Sequence, residues 1–227
     1  MTLTIADIQA LKRFRNLEEK DLAVLKESGR VLNIGKGKSI FNEGTAADAH
    51  YTVISGHVKV FKDFEVPRIL HIFGPGEAFG ELALINGIPF PASAGALVAS
   101  TVFVFPATVF DRLRQTSATF ANEVAKTLAK RPEFLTEAIA NFNDGNLPDR
   151  VKRAFTDLLV RFGVDHGEYY ELPFYLSRKE IASLINARPE SVSRELNQWE
   201  LDNLLVPTDI GFRAPKSFWK LPEPKKA

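Results

Sequence analysis

Apolar residues repeat along this chain first at helical spacing, then in short alternating runs, then at helical spacing again, and that order predicts how it is organised. From about Thr4 to Gly29 the recurrence of Ile8, Leu11, Phe14, Leu22 and Leu25, with charge between them, predicts helix. From Val31 to about Phe105 the period changes to short runs rich in Val, Ile and Phe, punctuated by Gly35, Gly37, Gly44, Gly56, Gly74, Gly76, Gly80 and Gly87. Alternation in Tyr51-Thr52-Val53-Ile54 and in His57-Val58-Lys59-Val60-Phe61, with a turn signal at Pro75-Gly76, predicts an antiparallel sandwich or roll that places His57 and His71 on strands. After Pro106 the helical period returns. Phe120, Val124, Leu128, Leu135, Ile139 and Phe142 follow a nearly a/d rhythm, which suits either pairing with a second copy about a twofold axis or packing on the helix's own domain. Pro132 removes an interior hydrogen bond and predicts a kink near Lys130-Arg131. Asn141 to Pro148 has the composition of a hinge, and from Arg150 to Phe162 a further helix turns Val151, Ala154, Phe155, Leu158 and Leu159 inward.

The stretch from Ser177 to Asn203 reads as two helices around a tight turn. Ser177 and Glu180 form a capping box that starts the first helix. Ile181, Leu184 and Ile185 supply its apolar face, and Asn186, which tolerates a left-handed backbone, ends it. Asn186-Ala187-Arg188 is the turn, and Pro189 suits the first position of the next helix. That second helix, expected over 189–203, puts Val192, Leu196 and Trp199 on one side and Glu190, Ser193, Arg194 and Asn197 on the other. The polar stripe has the chemistry of a major-groove reader, since Arg pairs with guanine O6 and N7, Glu accepts from the cytosine amino group and Ser serves either. Taken alone, Glu190 and Arg194 also suit an ordinary surface pair four residues apart. Arg178, Lys179 and Arg188, near the helix starts, are placed where phosphates lie, and Ser177 and Ser191 are also expected among the DNA-binding residues. The closing segment from Val206 to Leu221 suits a small hairpin wing.

Length and composition narrow the class. At 227 residues and 45% hydrophobic the chain is long enough for one large or two ordinary domains with real cores. The net charge is only +1, and from Pro148 onward 13 Lys and Arg face 12 Asp and Glu, so affinity for DNA has to come from local placement of charge. With no cysteine there is no disulfide, no thiolate zinc site and no ordinary iron–sulfur cluster. No secretory leader or membrane-length run is seen, so a cytoplasmic protein without a membrane partner is expected. Paired carboxylates at a useful spacing, a His-x-His metal run, a nucleophile elbow and a phosphate-binding G-x-x-x-x-G-K-[ST] loop are all missing, and an enzyme is not expected. The terminal KLPEPKKA reads as a loose tail.

The order of parts resembles the CRP/FNR family of transcription regulators, on GKGKSIFNEGTAADAHYTVISGHVKVF, on ILHIFGPGEAFGELALI and on the helix-turn-helix. The resemblance implies an α+β fold: an N-terminal double-stranded β-helix (jelly roll) of the cyclic-nucleotide-binding type over 1–108, a dimerisation helix and hinge over 109–146, and a winged helix-turn-helix over 147–227. It further implies a homodimer on double-stranded DNA and contact with RNA polymerase. Glu190-Ser191-Val192-Ser193-Arg194 is similar to the E-x-x-S-R motif of the FNR-type branch, whose palindromes have TTGAT-like half-sites. Carried over, Arg194 reads a guanine, Glu190 the opposed base and Ser193 a neighbouring thymine, while Pro189 stands where the other branch has an arginine.

The same resemblance marks Phe79, Gly80, Glu81, Leu82, Phe90, Pro91, Ala92 and Ser93 as the effector segment. In the cyclic-AMP branch an arginine and a small hydroxylated residue there hold the cyclic phosphate. Here the arginine position falls near Pro91, and no Lys or Arg occurs between Glu77 and Asp111. A buried phosphate without a cation costs several kcal/mol, so cyclic AMP is not the expected effector. Phe79, Leu82, Leu84, Ile85 and Phe90 suit either a pocket for a planar cofactor or the roll's own core. Some FNR-branch regulators of nitrosative stress or anaerobic respiration bind haem, which makes His50 or His71 the candidate ligands, and the readings that stay open are a cyclic-nucleotide or haem/NO sensor and, remotely, a cupin-like enzyme. Glu81 alternatively caps or pairs within the roll.

Overall fold

A computed structural model describes residues 3–65, 67–129 and 145–221. The chain divides into two compact units, Met1–Glu65 with Leu70–Leu135, and Val66–Ile69 with Thr136–Ala227. Pro132, Leu135, Ile139, Phe142 and most of the expected hinge lie outside the described residues.

The first unit opens with α1 (Ile5–Ala10), a 3₁₀ turn (Lys12–Phe14) and α2 (Glu19–Ser28). The helical span expected from Thr4 to Gly29 is therefore interrupted at Leu11, which is extended. Eight strands follow: β1 (Arg30–Ile34), β2 (Ser39–Phe41), β3 (Ala49–Ser55), β4 (Val58–Lys62), β5 (Arg68–Phe73), β6 (Ala78–Phe79), β7 (Ser93–Ala96) and β8 (Ser100–Pro106). They make two four-stranded antiparallel sheets, ordered β1-β8-β3-β6 and β2-β7-β4-β5, which is the roll expected from the glycine-punctuated runs. His57 falls in the turn before β4 rather than on a strand, because Gly56 takes φ +76 and turns the chain there. At the Pro75-Gly76 turn, the amide of Glu77 bonds the carbonyl of Gly74, and Gly76 has φ +82, the third-position geometry of a type II turn.

Strands β3 and β8 are buried on both faces, and this sets up the site. Tyr51, Val53, Val102 and Val104 point into the roll with Phe79 and Phe90. Phe103 and Phe105 point the other way, into a second core with Ile8, Phe14, Leu22 and Leu25. That core also takes in α4 (Ala107–Thr116) and α5 (Ala118–Ala129) through Phe110, Leu113, Phe120 and Val124. Phe120 and Val124, the first two positions of the expected seam, are buried inside their own unit, and Leu128 packs against the same core. At these positions the period marks the intradomain face.

The second unit contains α6 (Leu147–Phe162), β9 (Val164–Asp165), β10 (Tyr169–Leu172), α7 (Arg178–Leu184), α8 (Pro189–Leu201), β11 (Val206–Pro207) and β12 (Phe212–Pro215). Asn146 caps α6 by accepting from the amide of Asp149, and all five expected inward residues of that helix are buried. The four strands form one antiparallel sheet, β11-β12-β10-β9, with the β11–β12 hairpin as the wing. Phe155 meets Phe212 at 5.2 Å and Trp219 at 6.2 Å, which ties α6 to the wing.

Candidate nucleic-acid interface and roll interior

The capping box at the start of α7 is complete. The Ser177 hydroxyl accepts from the amide of Glu180 at 3.2 Å, and the Glu180 carboxylate accepts from the amide of Ser177 at 3.0 Å. Asn186 has φ 51, and the amide of Ala187 reaches the carbonyl of Ala182 at 2.9 Å, which is the six-to-one bond of a Schellman ending. Pro189 is the first residue of α8, and the helix ends at Leu201, two residues before the expected boundary.

Burial fixes which way α8 faces. Val192, Leu196 and Trp199 are buried, and Trp199 packs edge-on against Trp219 at 5.8 Å. Each contributes about 1.5–3 kcal/mol by leaving water, so turning the helix over would forfeit roughly 5–9 kcal/mol before desolvation of the charged face is counted. Glu190, Arg194 and Asn197 are consequently exposed on the opposite side. No ion pair between Glu190 and Arg194 forms among the described residues, so the surface-pair alternative is not adopted. The Ser193 hydroxyl donates back to the carbonyl of Pro189 at 2.8 Å, which occupies its proton and leaves its lone pairs to accept.

The other candidate contacts separate into two groups. Lys179 and Arg188 are exposed, and Ser191 is half-buried at the start of α8. Arg178 instead donates to the carboxylate of Glu200 and, at 3.4 Å, to Asn197, so it clamps α7 to α8; Ser177 is engaged by its cap. A further cation, Arg150, donates to the carbonyls of Ile185 and Asn186. Periodicity did not reveal it; a basic residue in the first turn of a helix, where the dipole disfavours it, was the available signal.

The eight residues of the effector segment differ in burial and in what they touch. Phe79 and Phe90 lie inside the roll, where Phe41 stacks on Phe90 at 3.7 Å and Tyr51 on Phe79 at 5.2 Å. Gly80 has φ +90, and a Cβ there would meet Phe90 at 3.3 Å and Tyr51 at 3.4 Å. Leu82 and Pro91 are exposed, while Ala92 and Ser93 are buried. The Ser93 hydroxyl accepts from the amide of Glu43 at 2.9 Å and donates to Asp63 at 3.4 Å, so a carboxylate faces it.

Glu81, at the start of α3 (Glu81–Asn86), turns away from the roll interior into the second core. There it accepts from the guanidinium of Arg13, itself 6% exposed, and lies 3.4 Å from Nε2 of His50. Arg13 also donates to the Thr127 hydroxyl on α5 at 2.9 Å. His50 stacks against Phe105 at 4.5 Å and Phe110 at 5.4 Å. Burial lowers its pKa to about 4, opposed by the hydrogen bond to Glu81 and reinforced by the charge of Arg13, so at neutral pH the ring is neutral and its contact with Glu81 is a hydrogen bond rather than an ion pair. A haem on His50 does not fit: the ring is fully buried, it stacks against Phe105 and Phe110, and its Nε2 lies against the Glu81 carboxylate. His71, on β5, is half-buried with its edge toward Phe73 at 4.5 Å. Among the described residues no group of three or more His, Asp or Glu stands where it would hold a metal ion, and no helix is long and apolar enough to cross a membrane.

Residues 31–117 match the model of the cyclic nucleotide-binding domain, and residues 149–213 that of the Crp-like helix-turn-helix domain. The chain is 31% identical over 182 residues to the cyclic AMP receptor protein of Thermus thermophilus, covering 79% of this chain and 80% of that protein. It is 29% identical over 190 residues to the CRP-like cAMP-activated global transcriptional regulator of Mycobacterium tuberculosis, covering 81% and 83%. In fold it is similar to FixK2 from Bradyrhizobium japonicum, with a TM-score of 0.72 at 19% identity over 84% of this chain and 93% of that one.

Proposed function

Because this chain belongs to the CRP/FNR family of transcription regulators and is a DNA-binding member of it, we propose that two copies read a palindromic site with the exposed stripe of α8, under an effector other than cyclic AMP. The observation that carries the reading is the exposure of Glu190, Arg194 and Asn197 on one stripe of a helix whose back, Val192, Leu196 and Trp199, is locked into its own domain. Arg194 takes a guanine by two parallel hydrogen bonds, Glu190 the opposed base and Ser193, through its methylene against the methyl group, a neighbouring thymine, on half-sites like TTGAT. Lys179 and Arg188 hold phosphates on either side and set the register. Helix-turn-helix dimers place their half-sites about one helical turn, roughly 34–36 Å, apart.

Both close relatives are named for cyclic AMP, yet three features of this roll disfavour it. Cations are missing from residues 78–110, Asp63 rather than an arginine faces the Ser93 hydroxyl, and Glu81 is committed to Arg13 and His50. The aromatic interior of Phe41, Tyr51, Phe79 and Phe90 suits a ligand with little charge. Activation requires that such a ligand bind one arrangement of the dimer better than the other, since equal affinity shifts nothing. The protein works in the cytoplasm and meets RNA polymerase at its promoters. The test is a titration of a selected duplex against a random one, with saturation at two chains per selected duplex expected and a single chain per duplex contradicting the dimeric reading.

A further inference from the structure

Arg150 sits in the first turn of α6, at the positive end of the helix dipole, where Asp149 is favoured and a cation is not. Its side chain leaves that end and donates through Nη2 to two successive carbonyls, those of Ile185 and, at 2.8 Å, of Asn186. These lie at the end of α7, where carbonyls lose their helical partners and carry the negative end of the dipole. The turn is thus fixed twice, by the Ala187 amide on the Ala182 carbonyl and by the guanidinium on the two carbonyls that precede Ala187. Arg188 and Pro189 follow directly, so the path of this turn sets the direction in which α8 leaves.

We propose that Arg150 is the positioning residue of the reading helix: it holds the turn ahead of Pro189 and does not itself touch DNA. The inference rests on α8 being the reading helix. The lever is long enough to matter. Asn197 lies eight residues beyond Pro189, about 12 Å along the axis, so a change of about 10° in exit angle moves it roughly 2 Å, more than a hydrogen bond tolerates. Both bonds leave one terminal nitrogen, so an ammonium replaces the contact in part, while the planar guanidinium fixes the direction from which that nitrogen donates.

The experiment compares full-length wild type, Arg150→Gln and Arg150→Lys. Affinity is measured for a duplex selected by the wild type and for a random duplex at several salt concentrations, with thermal midpoints and with amide exchange at Ala187, Ser191 and Val192 in the DNA-free protein. Arg150→Gln should weaken the selected duplex by about tenfold to hundredfold and leave random DNA and the salt slope unchanged, with faster exchange at the three amides and partial recovery in Arg150→Lys. Equal losses on both duplexes with the salt slope reduced by about one would make Arg150 a phosphate contact and overturn the proposal. A loss that follows a lowered thermal midpoint while the three amides exchange as in wild type would overturn it as well. Should the wild type select no duplex, the DNA reading of α8 fails separately, and the exchange rates alone still decide whether Arg150 holds the turn.

Discussion

The guanidinium of Arg13 donates to the carboxylate of Glu81, joining residues 68 positions apart at a point closed to water. The pair has side chains 4% and 0% exposed, and it connects the 3₁₀ turn to α3 while Arg13 also reaches Thr127 on α5. A carboxylate in the segment that the family resemblance marks for the effector is here part of the packing between the roll and its covering helices.

Removing one member of that pair leaves a buried charge behind. Glu81→Leu and Arg13→Met should each destabilise the protein by about 3–5 kcal/mol, whereas the double replacement should come within roughly 1–2 kcal/mol of wild type. Urea unfolding at neutral pH measures all three. Single variants within about 1 kcal/mol of wild type would show that the pair is not a closed unit.

Stability should fall with acid through His50. In the unfolded chain its imidazole takes a proton below about 6.5, whereas the folded chain resists until about 4. The folded protein therefore binds fewer protons between those values, so this contribution is complete above pH 6.5 and is lost progressively as pH drops toward 4, by at most roughly 3 kcal/mol. His50→Phe preserves the stacking on Phe105 and Phe110 and should flatten this part of the profile. Unfolding free energies at pH 7.5 and 5 decide it, and identical slopes in the two proteins would contradict the assignment.

These two contacts mark where sequence reading stops. The capping box of Ser177 and Glu180, the left-handed Asn186, Pro189 and the inward residues of α6 were legible because each is set by neighbours within a turn or two. Phe79 and Phe90 were legible as apolar but left open between pocket and core, since volume and not pattern decides that. Period gave Phe120 and Val124 a common face without saying that the face meets Phe14 and Phe110 rather than a second subunit. Arg13 and Arg150 escaped because their partners lie 68 and about 35 residues away, a separation that no local period encodes.

Cyclic AMP should leave DNA affinity unchanged within about twofold and give no stoichiometric heat, because its phosphate finds no cation in the segment from Glu77 to Asp111 and desolvation goes uncompensated. Isothermal calorimetry with the full chain measures this. A tight complex with one nucleotide per chain would show that another cation reaches the roll interior.

Lys179 and Arg194 should fail in different ways. Lys179→Ala should weaken all duplexes alike and lower the salt slope by about one, as loss of a phosphate contact does. Arg194→Ala should cost about 1–3 kcal/mol on the preferred duplex and little on random DNA. Affinities across a salt series separate the two, and matching behaviour would remove the distinction between positioning and reading on this surface.

The most direct measurement is selection of bound duplexes from a random pool by the wild type and by Arg194→Ala in parallel. The wild type should enrich a palindrome, and the variant should relax one base pair in each half-site while leaving the rest. No enrichment by the wild type, or the same site with the same stringency from both proteins, would contradict the claim that the outer stripe of α8 reads bases.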